Sequence, residues 1–174
     1  ILWINLVDDS FPSIALTLEP GEGEVMKEPP GGQRKQLFTS EMKVLTVIIS
    51  SVMGIGSLFF FWYLLEHGWG LEHARTLIFT IFAISTLLYV FSVRSMRHSI
   101  FKMNIFGNKS LLLAVAVGFI LQLIGVYVAP FQKLLYTVPL NWADWGIVFI
   151  ASMVFIVCIE ITKSIYIHKR SKQN

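Results

Sequence analysis

The stretch VLTVIISSVMGIGSLFFFWYLL, residues 44–65, decides the fold class, because it contains no charged side chain. A helix needs about 20 consecutive apolar residues to cross the hydrocarbon core of a bilayer. Three further stretches, 76–93, 111–128 and about 146–162, are comparably apolar, and Glu160 is the only acidic residue within any of the four. The sequence therefore predicts an all-α, polytopic helical membrane domain with four spanning helices.

The composition of the whole chain agrees with a membrane domain. The 174 residues are 55% hydrophobic and 14% charged, and the mean hydropathy is +0.66, whereas an average soluble domain has about 25% charged residues. A chain of this length cannot bury so much apolar surface in its own interior, which argues against a soluble enzyme. The formal charge of +3 does not indicate nucleic-acid binding, because the basic residues lie between membrane spans. The expected partner is the lipid bilayer.

The basic residues also predict the orientation of the spans. Of the 14 Lys and Arg residues, all except Arg75 and Lys133 lie before the first span, between the second and third spans, or after the fourth. Because Lys and Arg in short loops mark the cytoplasmic side, the C-terminus is expected to be cytoplasmic. Aromatic residues gather at the opposite ends of the spans, as an interfacial belt would: Trp62, Tyr63, Trp69, Tyr136, Trp142 and Trp145.

The chain divides into three expected parts. Residues 1–18 form the cytoplasmic half of a membrane helix, residues 19–43 form a cytoplasmic loop rich in Gly and Pro, and residues 44–174 form a four-helix transmembrane bundle. The chain starts at Ile1, without an initiator Met or a signal peptide. We therefore expect it to be a piece of a longer polypeptide that starts partway along a helix.

The first part, residues 1–18, contains the polar side chains that could serve a function. Asn5 lies three and four residues before Asp8 and Asp9, so a helix brings these three side chains to nearly one face. Pro12 cannot donate a hydrogen bond to the Asp8 carbonyl, so the helix should loosen there and free backbone oxygens. Carboxylates and freed carbonyls at membrane depth are typical of a cation site. The alternative is that Asp8 and Asp9 lie at a helix end among lipid headgroups.

Two other features lie within the spans. We expect Glu160 to lie near the cytosol, paired with Lys163 or extended towards the membrane surface, with an ion-path role as the alternative. Gly54 and Gly56 give the first span a small-residue face, which favours close packing against another helix over a flexible hinge.

The segment from Leu2 to Leu16, followed by Glu19-Pro20 and the string MKEPP at residues 26–30, resembles the sixth membrane helix and following loop of P-type cation-transporting ATPases. The family pattern there is approximately L-W-x-N-L-V-x-D-x-x-P-x-x-A-L, then E-P and M-x-x-P-P. The resemblance continues over essentially the whole chain, with two groups of residues that resemble the eighth to tenth helices and their loops: Ala74-Arg75-Thr76, Phe91 to Ser95 and Asn108-Lys109, then Thr137 to Leu140 and Asp144-Trp145. The chain would then hold half of the sixth helix and the seventh to tenth.

The resemblance implies a transported cation and a set of ligands. In calcium pumps of this family the sixth helix supplies an Asn, a Thr and an Asp, which correspond to Asn5, Asp8 and Asp9. Calcium is the cation that this resemblance favours. Ser10 stands where a Gly is usual, and a further acidic ligand of the eighth helix would fall at Ser85 or Thr86, neither of which is acidic. The second cation site of calcium pumps is therefore not implied.

The resemblance also implies partners and a location. The family places its D-K-T-G phosphorylation motif, nucleotide-binding domain and actuator domain upstream of this region, and these 174 residues contain no such motif. The chain would not hydrolyse ATP alone, and ATP and magnesium would act through upstream domains of the same polypeptide, in a plasma-membrane protein. Two alternatives stay open: a free-standing four-helix partner of a pump, with a structural or regulatory role, and a gradient-driven secondary transporter.

Overall fold

The computed structural model describes residues 2–6, 10–19, 40–94 and 107–171, and these contain helices and no β-strand. The all-α prediction is therefore confirmed. Seven helices follow in chain order: α1 Leu2–Ile4, α2 Ser10–Leu16, α3 Ser40–Glu66, α4 Leu71–Val93, α5 Lys109–Tyr127, α6 Ala129–Leu135 and α7 Trp142–Ser171.

Four helices of the described part are long and apolar enough to cross a membrane: Met42–Glu66, Leu71–Val93, Lys109–Tyr127 and Trp142–Ile165. The four predicted spans are therefore present. The helices reach further than the apolar runs that predict them, since α4 begins at Leu71 and α7 continues to Ser171. Hydropathy marks only the part of a helix that lies in an apolar environment, whereas the helix itself continues until a turn or a cap ends it.

Helix α4 lies at the centre of the bundle. It packs most extensively against α7, and it also contacts α2, α3 and α5. The main hydrophobic core joins α4 to the neighbouring helices α3, α5 and α7 and to the connection before α7. Its buried members are Leu64, Ala74, Leu77, Ile84, Leu87, Val126, Leu140 and Val148.

Side-chain contacts identify the two ends of the bundle. At one end, named here the Arg94 end, Arg94 and Asn108 meet at the carboxylate of Glu19. At the other end, named the Trp145 end, Trp145 Nε1 donates to Tyr127 Oη at 2.7 Å. Helix α5 is therefore antiparallel to both α4 and α7.

The two pieces of the first segment reach both ends. The Trp3 ring contacts Phe131 edge to face with centroids 5.5 Å apart, which places α1 near the Trp145 end. Pro12 and Ala15 of α2 are buried, and Ala15 shares a small core with Val90 and Leu111 near the Arg94 end. The described pieces 2–6 and 10–19 thus lie towards opposite ends of the bundle.

Helix α6 was not anticipated from the sequence, which indicates only a connection over residues 129–145. It begins at Ala129-Pro130, where Pro is favoured in a first helical turn. It ends at Tyr136, whose φ of 55° is left-handed. The following Thr137 hydroxyl donates to the Gly125 carbonyl of α5 at 2.7 Å. These contacts fold the connection back onto the bundle.

Gly54 and Gly56 make no close helix contact within the described residues, so their predicted packing against another helix stays a prediction. A Cβ atom added at either glycine would meet no atom of the described chain within 4 Å. Helix α3 instead contacts α4 and α7 through larger side chains such as Phe60 and Leu64. A small-residue face permits close approach but does not select the neighbour, so the glycines alone could not predict this arrangement.

Candidate cation-binding segment

The helix of the first segment is widened at Asn5. Asn5 and Leu6 adopt π-helical geometry directly after α1, and the Ser10 hydroxyl donates to the Asn5 carbonyl at 2.9 Å. A π-helical turn carries an extra residue and is common at functional sites. The loosening that Pro12 predicts at Asp8 and Asp9 lies outside the described residues and stays a prediction.

The structure describes one of the three predicted ligands. Asn5 is exposed on the surface of this chain. Asp8 and Asp9 lie outside the described residues, so the convergence of the three side chains stays a prediction. Ser10, at the position where the family pattern has Gly, occupies one acceptor site on a backbone oxygen of the widened turn.

Ser85 and Thr86 are both engaged in the scaffold. The buried Ser85 hydroxyl donates to Ser152 of α7 at 3.1 Å. The Thr86 hydroxyl donates to the carbonyls of Phe82 and Ala83 in its own helix, at 2.8 and 2.9 Å. The Ser85 hydroxyl connects α4 to α7, whereas the Thr86 hydroxyl bonds within α4. Neither residue offers a carboxylate to a cation.

A polar cluster at the Arg94 end joins three helix termini, and sequence reasoning missed it. Arg94 Nε donates to Glu19 Oε1 at 2.9 Å, and the Arg94 Nη2 atom donates to the same oxygen. Asn108 Nδ2 donates to Glu19 Oε2 at 2.8 Å and to the Ala15 carbonyl at 3.1 Å. Asn108 Oδ1 accepts the Leu111 N–H at 2.9 Å and caps α5. We name these three side chains the Glu19 junction.

The electrostatics of the Glu19 junction favour an ionised carboxylate. Burial raises the pKa of Glu19, but hydrogen bonds from Arg94 and Asn108 and the Arg94 charge more than offset it, so the pKa lies below its ordinary value. A carboxyl with a lowered pKa stabilises the fold above its unfolded pKa, and this contribution is lost as pH falls through the folded value. The junction is thus intact at neutral pH.

Glu160 is paired with Lys163 inside the bundle. Both side chains are buried, with residue exposures of 7% and 2%, and Lys163 Nζ lies 3.4 Å from Glu160 Oε1. The Ser92 hydroxyl donates to the same carboxylate oxygen at 2.8 Å, and Lys163 Nζ donates to the Ser92 carbonyl at 2.7 Å. The predicted pairing is therefore confirmed, and it links the last turn of α4 to α7.

Gln122 is the polar residue inside α5, and it faces α4. Its side chain is fully buried, and Nε2 lies 3.4 Å from the Thr80 hydroxyl. That hydroxyl donates to the Thr76 carbonyl one turn earlier at 2.9 Å. The Gln122 Oε1 atom has no hydrogen-bond partner among the described residues. The contact holds α4 and α5 in register.

Asp144 organises the start of α7, and the sequence carried a signal for it. Asn141 N–H donates to Asp144 Oδ2 at 2.8 Å, and Asp144 N–H donates to Asn141 Oδ1 at 3.0 Å. This reciprocal arrangement is a capping box, recognisable from Asn and Asp three residues apart before an apolar run. Asp144 Oδ1 also lies 3.1 Å from His73 Nε2 of α4, without hydrogen-bond alignment.

We expect Asp144→Ala to lower the free energy of unfolding by about 1–2 kcal/mol, because it removes a buried helix cap. Asp144→Asn should lose less, since its side-chain oxygen can still accept the Asn141 N–H. Thermal unfolding in detergent measures the effect, with the exposed Glu72→Ala as control. Equal unfolding temperatures for Asp144→Ala and Glu72→Ala would contradict the capping role.

Comparisons with known proteins cover nearly the whole chain. The family model for "Cation transporting ATPase, C-terminus" matches residues 1–165. The chain is 30% identical over 179 residues to calcium-transporting ATPase 1 of Bacillus cereus, covering 94% of this chain and 20% of that protein. It is 32% identical over 149 residues to the calcium-transporting ATPase of Bacillus subtilis, covering 85% of this chain and 17% of that protein.

A human relative is also similar over nearly the whole chain. The calcium-transporting ATPase type 2C member 1 of Homo sapiens is 30% identical over 168 residues, covering 95% of this chain and 18% of that protein. The chain thus spans about a fifth of the length of these relatives. Since one family model accounts for nearly every residue, and four membrane-spanning helices fit it, the chain belongs to the C-terminal membrane domains of the P-type cation-transporting ATPases.

Proposed function

We propose that this chain is the C-terminal membrane domain of an ATP-driven calcium pump, and that Asn5, Asp8 and Asp9 supply ligands to the transported ion. The observation that carries the proposal is the widened turn at Asn5, in a segment that matches the family. Calcium prefers six to eight oxygen ligands, and a π-helical turn beside two carboxylates offers side-chain and backbone oxygens together. Calcium is named in the relatives above.

The packing of the first segment supports a site inside the membrane. Trp3 lies against Phe131 near the Trp145 end, while Ala15 lies beside Asn108 at the Arg94 end. Asp8 and Asp9 come between these two anchors in the sequence. A cation bound there would lie roughly midway along the bundle, where ionisable groups usually serve transport.

The remaining parts of the proposal concern the complete polypeptide. ATP and magnesium act in upstream domains, which supply the free energy of transport, while this domain supplies ligands and their scaffold. The Arg94 end faces the cytoplasm, because the basic residues flank it and the positive-inside rule favours this orientation. The C-terminus is then cytoplasmic, in the plasma membrane. The boundaries at residues 18 and 43 separate the ligand helix, the loop and the bundle.

The experiment that tests this function is ATP hydrolysis by the complete pump across a panel of cations, namely calcium, manganese, sodium and potassium. We expect calcium to activate hydrolysis at a lower concentration than the others. ATP-driven calcium uptake by sealed vesicles, insensitive to collapse of ion gradients, would support a primary pump. Uptake that needs no ATP and stops when the gradient collapses would instead identify a secondary transporter.

A further inference from the structure

The Glu19 junction connects the proposed ligand helix to the scaffold. Arg94 is the C-cap residue directly after α4, Asn108 caps the start of α5, and Glu19 follows the end of α2. Arg94 and Asn108 are almost fully buried, and their donors converge on the two oxygens of one carboxylate. The C-terminal ends of α2 and α4 and the start of α5 are therefore fixed to each other at one point.

Helix α2 depends on these contacts for its position. It has seven residues, and helices shorter than about 12 residues are marginal without tertiary packing. Pro12 and Ala15 supply an apolar contact, but an apolar face alone permits sliding along the neighbouring helix. The Asn108 bond to the Ala15 carbonyl and the ion pair at Glu19 are directional, so they fix the depth of α2.

The depth of α2 matters for the proposed site because Asp9 lies one residue before the helix. Calcium–oxygen distances fall within about 2.3–2.6 Å, whereas a slide of one residue moves a helix by about 1.5 Å. We propose that Arg94 and Asn108 are positioning residues for cation binding, which hold α2 at the depth where the residues before it can coordinate the ion. This inference rests on the proposed function and assigns these residues no direct contact with the ion.

The test is Arg94→Met in the complete pump, with phosphorylation by ATP measured against calcium concentration. We expect the half-activating calcium concentration to rise about tenfold, at the lower end of what outer partners of metal ligands contribute. The maximal phosphorylation level per folded protein should stay at the wild-type value. Arg75→Met is the matched control, because Arg75 is an exposed arginine at the opposite end of α4, over the Tyr136 ring.

Further variants keep the inference testable if Arg94→Met does not fold. Glu19→Gln keeps the shape of the side chain and removes only its charge. We therefore expect a smaller rise in the half-activating calcium concentration than in Arg94→Met. In the double variant Glu19→Gln, Arg94→Met, the two effects should be less than additive, because both act through one contact. Asn108→Ser, whose hydroxyl can still cap α5, tests the bond to the Ala15 carbonyl by the same measurement.

Two outcomes would overturn the positioning role. One is a half-activating calcium concentration within twofold of wild type in every junction variant that folds. The other is a lower maximal level with an unchanged half-activating concentration, which is the signature of a purely structural contact. Failure of the positioning role is distinguishable from failure of the proposed function by the wild-type pump. If no cation activates phosphorylation of the wild-type pump, the proposed function itself is wrong.

Discussion

Asp9→Asn in the complete pump should abolish calcium-dependent phosphorylation by ATP, with a loss of calcium affinity of at least about 100-fold. Outer partners of metal ligands already contribute about 10–100-fold, and Asp9 is proposed as a direct ligand. The amide keeps the size of the side chain but removes the charge that compensates a divalent ion at membrane depth. Phosphorylation measured over a wide range of calcium concentrations gives the calcium affinity. Expression of the variant at the same level as the wild-type protein shows that the variant is folded.

Two companion variants sharpen this prediction. Asp8→Thr restores the hydroxyl that calcium pumps have at this position, so it should keep calcium dependence. Glu66→Gln removes an exposed carboxylate at the end of α3 and should change nothing. Normal calcium dependence in Asp9→Asn would show that the ligand assignment is wrong, whatever the behaviour of the other two.

The spanning helices could be predicted from the sequence because lipid imposes a simple requirement. A backbone inside the bilayer must satisfy its own hydrogen bonds, so a long apolar run can only be a helix. Helix α6 escaped this argument because it lies outside the spans, where a Pro at its start and a left-handed residue at its end define it. The contact of its Phe131 with Trp3, and the bond from the following Thr137 to Gly125, are tertiary, and no local pattern encodes them.

Most polar contacts of the scaffold could not be predicted from local spacing. The candidate ligands between Asn5 and Pro12 are close in the sequence, so spacing and proline chemistry suffice to propose them, and their convergence stays a prediction. Glu19 and Arg94 are separated by 75 residues in the sequence, and their partnership depends on how α2 rests on α4 and α5. Lys163 and Glu160 are separated by one helical turn, which explains why that pair alone was anticipated.

The buried Glu160–Lys163 pair gives the largest expected effect on stability. Lys163→Met should lower the free energy of unfolding by about 3–5 kcal/mol, the usual cost of removing one member of a buried ion pair. The substitution removes the ammonium group 3.4 Å from the Glu160 carboxylate and the donor to the Ser92 carbonyl. Thermal unfolding in detergent measures the loss, and Lys109→Met, an exposed lysine at the same end, is the control.

The double variant Glu160→Met, Lys163→Met separates stability from specificity. Because replacing both members of a buried pair by apolar residues is often neutral or stabilising, it should recover most of the stability that Lys163→Met loses. A double variant as unstable as the single one would instead mean that the pair specifies how α4 and α7 fit together. Wild-type stability in Lys163→Met would contradict a stabilising role of the buried pair, because the Glu160 carboxylate would then be stable in the bundle without the ammonium group beside it.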